Sequence, residues 1–137
     1  MIYRISKEFH FSMGHALNHY EGDCHNVHGH NYRLVVTMKA DRLDENGFVM
    51  DFKDLKNQVN QIIIQDLDHK FLFHKEDKRK DLFGLLDGKI GVDYEPTAEN
   101  IVTNIANGLL HNGLTGIDRI ELWETPTSSA IWINEEN

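Results

Sequence analysis

Hydrophobic residues recur at two spacings along the chain, and these spacings predict where strands and helices lie. Between Tyr3 and Met13 the apolar residues fall mostly on odd positions, and between His30 and Ala40 they fall on even positions. A period of two is typical of a half-buried strand. Two later runs, "IDRIELWE" and "SAIWIN", also alternate and are separated by "TPTSS". The pattern therefore predicts two strands early in the chain and a strand pair near its end.

Two segments between these strand pairs have helical spacing. Asp51 is placed to cap the first helix, and Asp54 lies near the positive end of its dipole. Pro96 and Thr97 open the second helix, and Gly113 closes it. The apolar face of the first helix consists of Phe52, Leu55, Val59, Ile62 and Ile63. The apolar face of the second consists of Ile101, Val102, Ile105, Ala106, Leu109 and Leu110.

This order of elements predicts an α+β fold in which two helices cover one face of a four-stranded antiparallel sheet. The other face of the sheet must then be solvated or covered by a neighbouring subunit. Residues 70–96 form a long connection between the helices. Its middle is highly charged, but "DLFGLL" is apolar enough for part of it to pack. Connections of this length are usually functional or mobile.

Composition narrows the class of protein. A chain of 137 residues fits a single domain, residues 1–137. The formal charge of −8 argues against a nucleic-acid surface, which normally shows a basic excess. The sequence has neither the run of about 20 apolar residues that a membrane span needs nor the apolar segment of a signal peptide. The single cysteine cannot form an internal disulfide. We therefore expect a cytosolic protein.

The segment "CHNVHGHNY", residues 24–32, carries the first candidate chemistry. His28 and His30 are two positions apart on a predicted strand, so their side chains share a face about 6.5–7 Å apart, close enough for one ion. The first strand offers His10 and His15 as a third ligand. We expect His15, because the backbone at the adjacent Gly14 can turn toward the start of the second strand, whereas His10 faces away from the apolar side of its strand. Three neutral imidazoles with an open fourth position are typical of catalytic zinc, although a bare H-x-H also occurs at plain polar strand ends.

Cys24 lies in the same polar loop. A lone cysteine is most often a small buried hydrophobe. Close to a divalent cation its thiolate would be favoured, which suits a base or a nucleophile. It could instead be a fourth zinc ligand, which would make the site structural and closed.

Asp68 and His69 follow the first predicted helix in "DLDHKF". An adjacent carboxylate and imidazole can be a surface coincidence. The functional interpretation is a carboxylate-tuned imidazole that relays a proton to or from Cys24.

Several of these segments together resemble a known family. "HFSMGHAL", "CHNVHGHNY", "GFVMDFKDLK", "LDHKFL", "PTAENI" and "LWET", in this order, resemble the 6-pyruvoyl-tetrahydropterin synthase and 6-carboxytetrahydropterin synthase family. The resemblance covers nearly the whole chain except residues 70–95. The cysteine just ahead of "HGH" is similar to the bacterial 6-carboxytetrahydropterin branch.

The resemblance implies a tunnelling fold, in which subunits form trimeric barrels that pair into a hexamer. It also implies a Zn²⁺ held by three histidines, a proton-handling cysteine, and an Asp–His pair supplied across a subunit interface. By motif position these are His15, His28 and His30 for the metal, Cys24 for the thiol, and Asp68 and His69 for the pair.

A pterin-binding site is implied as well. Glu124, in "WET", matches the family's pterin-anchoring glutamate, and a carboxylate can accept from both the amino group and a ring N–H of a pterin. Thr97 matches a pocket threonine, although it also suits a helix cap. Two features depart from the family: Phe73 stands where "LDHKxLN" has asparagine, and the connection after it is longer. His25 has no motif role and is expected to be a solvated loop residue.

The resemblance implies a zinc-dependent lyase that acts on 7,8-dihydroneopterin triphosphate. Its products would be 6-carboxytetrahydropterin, acetaldehyde and triphosphate, serving deazaguanine (queuosine) synthesis. An alternative on the same substrate is 6-pyruvoyltetrahydropterin as the product. Alternatives of other classes are a non-catalytic zinc- or pterin-binding protein and a metal-free dihydroneopterin aldolase, of which the three histidines make the second less favoured.

Overall fold

The computed structural model describes residues 1–135, and a six-stranded mixed sheet forms its centre. The strands are β1 (Tyr3–Ala16), β2 (His28–Ala40), β3 (Phe71–His74), β4 (Lys89–Val92), β5 (Ile117–Thr125) and β6 (Ser128–Ile133). The helices are α1 (Phe52–Val59), α2 (Gln65–Leu67), α3 (Lys80–Phe83) and α4 (Ala98–His111). The sheet order is β4-β3-β1-β2-β5-β6. Residues 136 and 137 of the predicted domain 1–137 lie outside the described part.

The core lies between one face of the sheet and the helices α1 and α4. In β1 the buried positions are odd apart from Ala16 at its end, and in β2 they are mainly even, as the sequence predicts. The antiparallel register pairs odd residues of β1 with even residues of β2, for example Phe9 with Leu34, so both sets share one face. Burial of this face against the two helices is the main source of stability.

Both long helices begin where the sequence predicts. The Asp51 carboxylate accepts a hydrogen bond from the backbone N–H of Lys53 at 2.8 Å. The Thr97 hydroxyl accepts one from the N–H of Asn100 at 3.2 Å. A π-helical turn, Asn60–Ile64, joins α1 to α2. Gly113 follows α4 with a φ of +87°, a conformation that favours glycine.

The predictions of the helix faces were wrong at Phe52 and Leu110. Phe52 is 52% exposed and Leu110 is 40% exposed. Both residues lie at the edge of an apolar stripe rather than on the side that faces the sheet. The remaining members of the two stripes are buried or partly buried against the sheet.

The predicted four-stranded antiparallel sheet was also wrong, because the connection at 70–96 contributes β3 and β4. Both run parallel to a neighbour, β3 to β1 and β4 to β3. Each has only four residues, and Phe71, Leu72 and Phe73 are consecutively buried. A strand buried on both faces shows no alternation, so the period of two could not reveal it.

The connection has a small core of its own. Phe71, Phe73 and Phe83 pack together with Ala16 at the end of β1, with ring centroids 5.1–6.0 Å apart. Within "DLFGLL" only Phe83 is buried, whereas Leu82, Leu85 and Leu86 are exposed. The prediction that part of the connection packs is therefore confirmed. Within residues 1–135, no helix combines the length and the apolar character required to cross a membrane.

Candidate functional site

Three histidines meet at one end of the β1–β2 pair. His15 lies directly opposite His28 in the antiparallel register, and His30 follows two positions along β2 on the same face. One ring nitrogen from each of the three lies within 4.8 Å of the other two. The structure thus brings together the residues that the sequence suggested as metal ligands. Their role as ligands remains a prediction.

The neighbours of His15 differ from the sequence-based interpretation in one respect. Gly14 does not turn the chain, because β1 continues through Ala16. A Cβ at Gly14 would lie 3.1 Å from the ring of Phe71 and 3.3 Å from the carbonyl oxygen of His28. The glycine therefore makes room for β3 beside the histidines. His10 is exposed and pairs with Glu8 at 2.9 Å, away from the cluster.

Backbone carbonyls orient two of the imidazoles. Nδ1 of His15 lies 2.7 Å from the carbonyl oxygen of Pro96, and Nδ1 of His28 lies 2.7 Å from that of Asn26. A carbonyl can only accept, so each Nδ1 carries the proton and each Nε2 presents a lone pair. The two Nε2 atoms are 2.9 Å apart. Two lone pairs at this distance repel unless a proton or a cation lies between them, and this orientation is typical of metal-binding histidines.

Burial favours the neutral form of two of the imidazoles. Loss of solvation lowers the pKa of His15, against the opposing effect of the Pro96 carbonyl. Loss of solvation likewise lowers the pKa of His30, although the negative charge of Glu124 opposes it. Neutral imidazole is the form that binds a metal ion. The site therefore favours the protonation state that a divalent cation requires.

Glu124 on β5 lies beside the histidines. Its Oε1 is 3.3 Å from Nε2 of His30, without the geometry of a hydrogen bond. Nε2 of His30 is thus a buried nitrogen with no hydrogen-bond partner among the described residues. Such an unpaired nitrogen beside two converging lone pairs fits a metal ion of the zinc type.

A pocket of about 420 Å³ opens next to Glu124 between α4 and β6. Thr103, Ser129 and Trp132 are among its lining residues. The lining begins at Ala98, and the Thr97 hydroxyl caps α4 from the preceding position. The pocket offers a carboxylate, hydroxyl groups and an aromatic ring, which suits a flat polar heterocycle.

Cys24 lies in a 3₁₀ turn, Asp23–His25, between β1 and β2. It is partly buried, and its carbonyl oxygen accepts a hydrogen bond from the N–H of Leu17 at 3.1 Å. Among the described residues the candidate metal-binding group comprises the three histidines without Cys24. This arrangement favours the thiol as a neighbour of the site over the fourth-ligand interpretation.

Sequence reasoning missed Tyr32. The side chain is fully buried, and its hydroxyl has no hydrogen-bond partner among the described residues. Burial raises the pKa of Tyr32, and the nearby charges of Glu124 and Cys24 raise it further. The ring centroid is 5.6 Å from that of His30. The signal was present, because a residue two positions after His30 on a strand shares its face.

His69 shares a hollow with one member of the histidine cluster, His30. Nδ1 of His69 lies 3.0 Å from Oδ1 of Asp68, so the pair itself is formed. The side chain of His69 is 81% exposed, and Ser12 and Asn31 line the same hollow. These two strand positions have the opposite parity to the three histidines, so most of the hollow belongs to the other side of the sheet.

The backbone holds the pair firmly. The Asp68 carboxylate accepts from the N–H of Ser12 at 3.0 Å, and the N–H of His69 donates to the Ser12 carbonyl at 2.7 Å. His69 has a φ of +64°, which is uncommon for a residue with a side chain. Strained positions of this kind concentrate at functional sites.

The fold and the site together define a class of protein. Its members are α+β proteins with a curled mixed sheet, a cluster of three histidines and an adjacent polar pocket. The family model described as 6-pyruvoyl tetrahydropterin synthase matches residues 4–135. The chain belongs to this tetrahydropterin synthase family.

Relatives within the family carry a more specific name. The chain is 38% identical over 135 residues to the 6-carboxy-5,6,7,8-tetrahydropterin synthase of Haemophilus influenzae, covering 93% of this chain and 96% of the relative. It is 37% identical to the protein of the same name from Synechocystis, covering 92% and 89%. These relatives place the chain among pterin-processing enzymes.

Solved structures share the fold. An uncharacterized protein of Wolinella succinogenes matches with a TM-score of 0.83 at 25% identity, covering 98% of this chain and 99% of the other. The 6-pyruvoyl tetrahydropterin synthase of Caenorhabditis elegans matches with a TM-score of 0.75 at 22% identity, covering 98% and 97%. At this identity the second match supports the fold alone.

Proposed function

We propose that this protein is a zinc-dependent lyase that converts 7,8-dihydroneopterin triphosphate, with uptake of water, to 6-carboxy-5,6,7,8-tetrahydropterin, acetaldehyde and triphosphate. The observation that carries the proposal is the cluster of His15, His28 and His30 next to the Glu124 carboxylate. The name shared by relatives at 37–38% identity supports this activity over others in the family.

Each side chain has a role in the proposed reaction. Zn²⁺ bound by the three histidines would polarise oxygens of the substrate side chain and so acidify the neighbouring C–H. Cys24, as a thiolate, accepts a proton, and His69, held by Asp68, returns one to another position. Glu124 binds the amino group and a ring N–H of the pterin, which fixes the ring in the pocket.

We also propose that the active site forms between subunits of a hexamer built from two trimers. The support is geometric, because the side chain of His69 is 81% exposed and shares its hollow mainly with strand positions, such as Ser12 and Asn31, of opposite parity to the three histidines. A neighbouring chain could present its Asp–His pair to the thiol of this one. Light scattering is expected to give a trimer or a hexamer. A stable monomer with full activity would contradict a site shared between subunits.

Product analysis tests the proposed reaction. Purified enzyme with its metal is incubated with 7,8-dihydroneopterin triphosphate, and the products are separated and weighed by mass spectrometry. We expect 6-carboxytetrahydropterin together with acetaldehyde. Retention of the three-carbon side chain as 6-pyruvoyltetrahydropterin would assign the alternative activity, and unreacted substrate would leave only a binding function. The proposed setting is the cytoplasm, in deazaguanine synthesis.

A further inference from the structure

The long 70–96 connection contacts the loop that carries Cys24. Its aromatic cluster of Phe71, Phe73 and Phe83 packs against Ala16, the last residue of β1. The loop with the cysteine begins at the next residue, Leu17. The cluster therefore fixes part of the connection beside the start of this loop.

Arg79 lies on top of that cluster and is held in one orientation. Its guanidinium carbon is 4.9 Å from the centroid of the Phe83 ring. Nε and Nη2 donate to the two carboxylate oxygens of Asp77 at 2.9 and 2.8 Å. The side chain of Asp77 is 1% exposed. A bidentate pair with a buried carboxylate leaves the guanidinium little freedom, so its remaining N–H groups point in fixed directions.

Those remaining groups reach both ends of the cysteine loop. Nη1 of Arg79 donates to the carbonyl oxygen of His25 at 2.6 Å, and Nη2 donates to that of Leu17 at 3.3 Å. The loop is also closed internally, since Nδ1 of His25 lies 2.9 Å from the Leu17 carbonyl oxygen. The Leu17 N–H donates to the Cys24 carbonyl at 3.1 Å. His25 is therefore part of this network, and the prediction of a merely solvated loop histidine was wrong.

The other end of the connection holds the same loop through its amide groups. The Glu95 carboxylate accepts from the N–H of Asn18 at 3.0 Å and from that of His19 at 3.2 Å. The next residue, Pro96, accepts from the ring of His15. The guanidinium of Arg79 therefore binds carbonyl groups of the loop, and the carboxylate of Glu95 binds its N–H groups. The 70–96 connection thus orients His15, a candidate metal ligand, and also holds the backbone on both sides of Cys24.

We propose that Arg79 is a positioning residue for Cys24: it ties the connection to Leu17 and His25 and so sets where the thiol lies relative to the three histidines. This inference rests on the proposed function for the role of the thiol. The proposal also gives a role to the two departures from the family, Phe73 and the longer connection. Phe73 belongs to the aromatic cluster against which Arg79 packs, and the longer connection carries Arg79 itself.

The test compares Arg79→Met with Arg42→Met. Methionine retains an apolar stem for Phe83 and removes every donor. Arg42 is a matched control because its side chain is 89% exposed and paired only at 3.7 Å with Asp41. For each holoenzyme we would measure zinc content, kcat, KM and the pH dependence of alkylation of Cys24. Cys24 is the only cysteine, so the mass change reports this thiol alone.

We expect Arg79→Met to keep its zinc and its KM within about threefold while kcat falls on the order of 10–100-fold, because a displacement near 1 Å can cost about 10²-fold. The alkylation midpoint should rise toward that of an ordinary thiol as Cys24 moves away from the cation. Arg79→Lys keeps the charge but not the planar fork, so we expect partial recovery of kcat. The control should match the wild type in every measurement.

Two further measurements keep the test decisive. If Arg79→Met does not fold because Asp77 is left buried and unpaired, the double variant Asp77→Asn/Arg79→Met removes that charge. A folded variant with the kcat and alkylation profile of the wild type would overturn the proposal. If even the wild type does not turn over dihydroneopterin triphosphate, the proposed function fails separately. The alkylation profile still decides the positioning role, and an unchanged profile in Arg79→Met rejects it.

Discussion

The histidine end of β1 and β2 and the 70–96 connection lie side by side, but they are encoded differently. At the histidine end, position in a strand determines which side chains meet, since His15 opposes His28 and His30 follows two residues later. In the connection, four-residue strands and one buried ion pair determine the arrangement. The first region follows from a repeating pattern, whereas the second depends on contacts between residues distant in sequence.

This difference teaches which part of a site a sequence can specify. Which histidines can share one face follows from the period of two along a strand, and this period can be read from a single sequence. The carbonyl that orients His15 belongs to Pro96, 81 residues away, and the Glu95 carboxylate binds the neighbouring loop at Asn18, 77 residues away. We therefore expect substitutions at the histidine end to abolish function directly. Substitutions in the connection should act through stability and placement.

The largest effect is expected from His28→Ala or His30→Ala. Either change removes one of three converging ring nitrogens, so we expect loss of bound zinc and of all measurable turnover. Metal content by elemental mass spectrometry is the measurement. His10→Ala is the matched control and should keep both, because His10 lies outside the cluster. Near-stoichiometric zinc in either cluster variant would reject the ligand assignment.

Cys24→Ala should have the next largest effect. We expect zinc and pterin affinity to persist while turnover falls on the order of 10²–10⁴-fold, the usual contribution of a general acid–base group. Rapid alkylation of the wild-type thiol, with protection by bound pterin, would accompany this result. Loss of zinc in the variant would instead make Cys24 a fourth ligand. Turnover within a few-fold of the wild type would return it to a structural role.

Much of the fold could be predicted from the sequence because most of the chain repeats a simple period. The alternation in β1 and β2, the caps at Asp51 and Thr97 and the glycine after α4 are local signals, and each is confirmed. The short strands β3 and β4 could not be predicted in this way. Three consecutive buried residues are compatible with a buried strand or with part of a helix, so periodicity cannot decide between them.

The candidate site divides along the same line. The cluster of three histidines could be predicted because alternate residues of a strand share a face, once His15 was preferred to His10 as the third member. Tyr32 could have been found by the same parity. Arg79 and Glu95 could not, because a charged residue in a polar connection normally indicates a solvated surface. Only the three-dimensional contacts reveal that each one binds backbone groups of the cysteine loop.

Phe73→Asn tests whether the connection depends on its aromatic cluster. Asparagine is the residue that the family pattern often has at this position, but here Phe73 is 7% exposed and packs on Phe71 and Phe83. The change removes ring contacts and buries an amide without a prepared partner. We expect the free energy of unfolding to fall by about 2–4 kcal/mol. Urea denaturation measures it, and an unchanged midpoint would show that the cluster contributes little.

The smallest expected effect is a pH dependence at Asp77. Hydrogen bonds from Arg79 hold the pKa of this carboxyl below its usual range, and the nearby charge of His25 acts in the same direction. A carboxyl with a lowered folded-state pKa stabilises the fold above its unfolded pKa, about 3.9, and loses this contribution as pH falls through the folded value.

The relevant measurement is the difference in unfolding free energy between wild type and Asp77→Asn from pH 6 to pH 3. Because the other carboxyl groups titrate in both proteins, their contributions largely cancel in the difference. We expect a constant difference down to about pH 4 and then a decrease of about 1 kcal/mol, the size of a typical hydrogen-bond contribution. A difference that stays constant to pH 3 would mean that Arg79 does not hold Asp77 ionised, and the connection would then rest on its aromatic cluster alone.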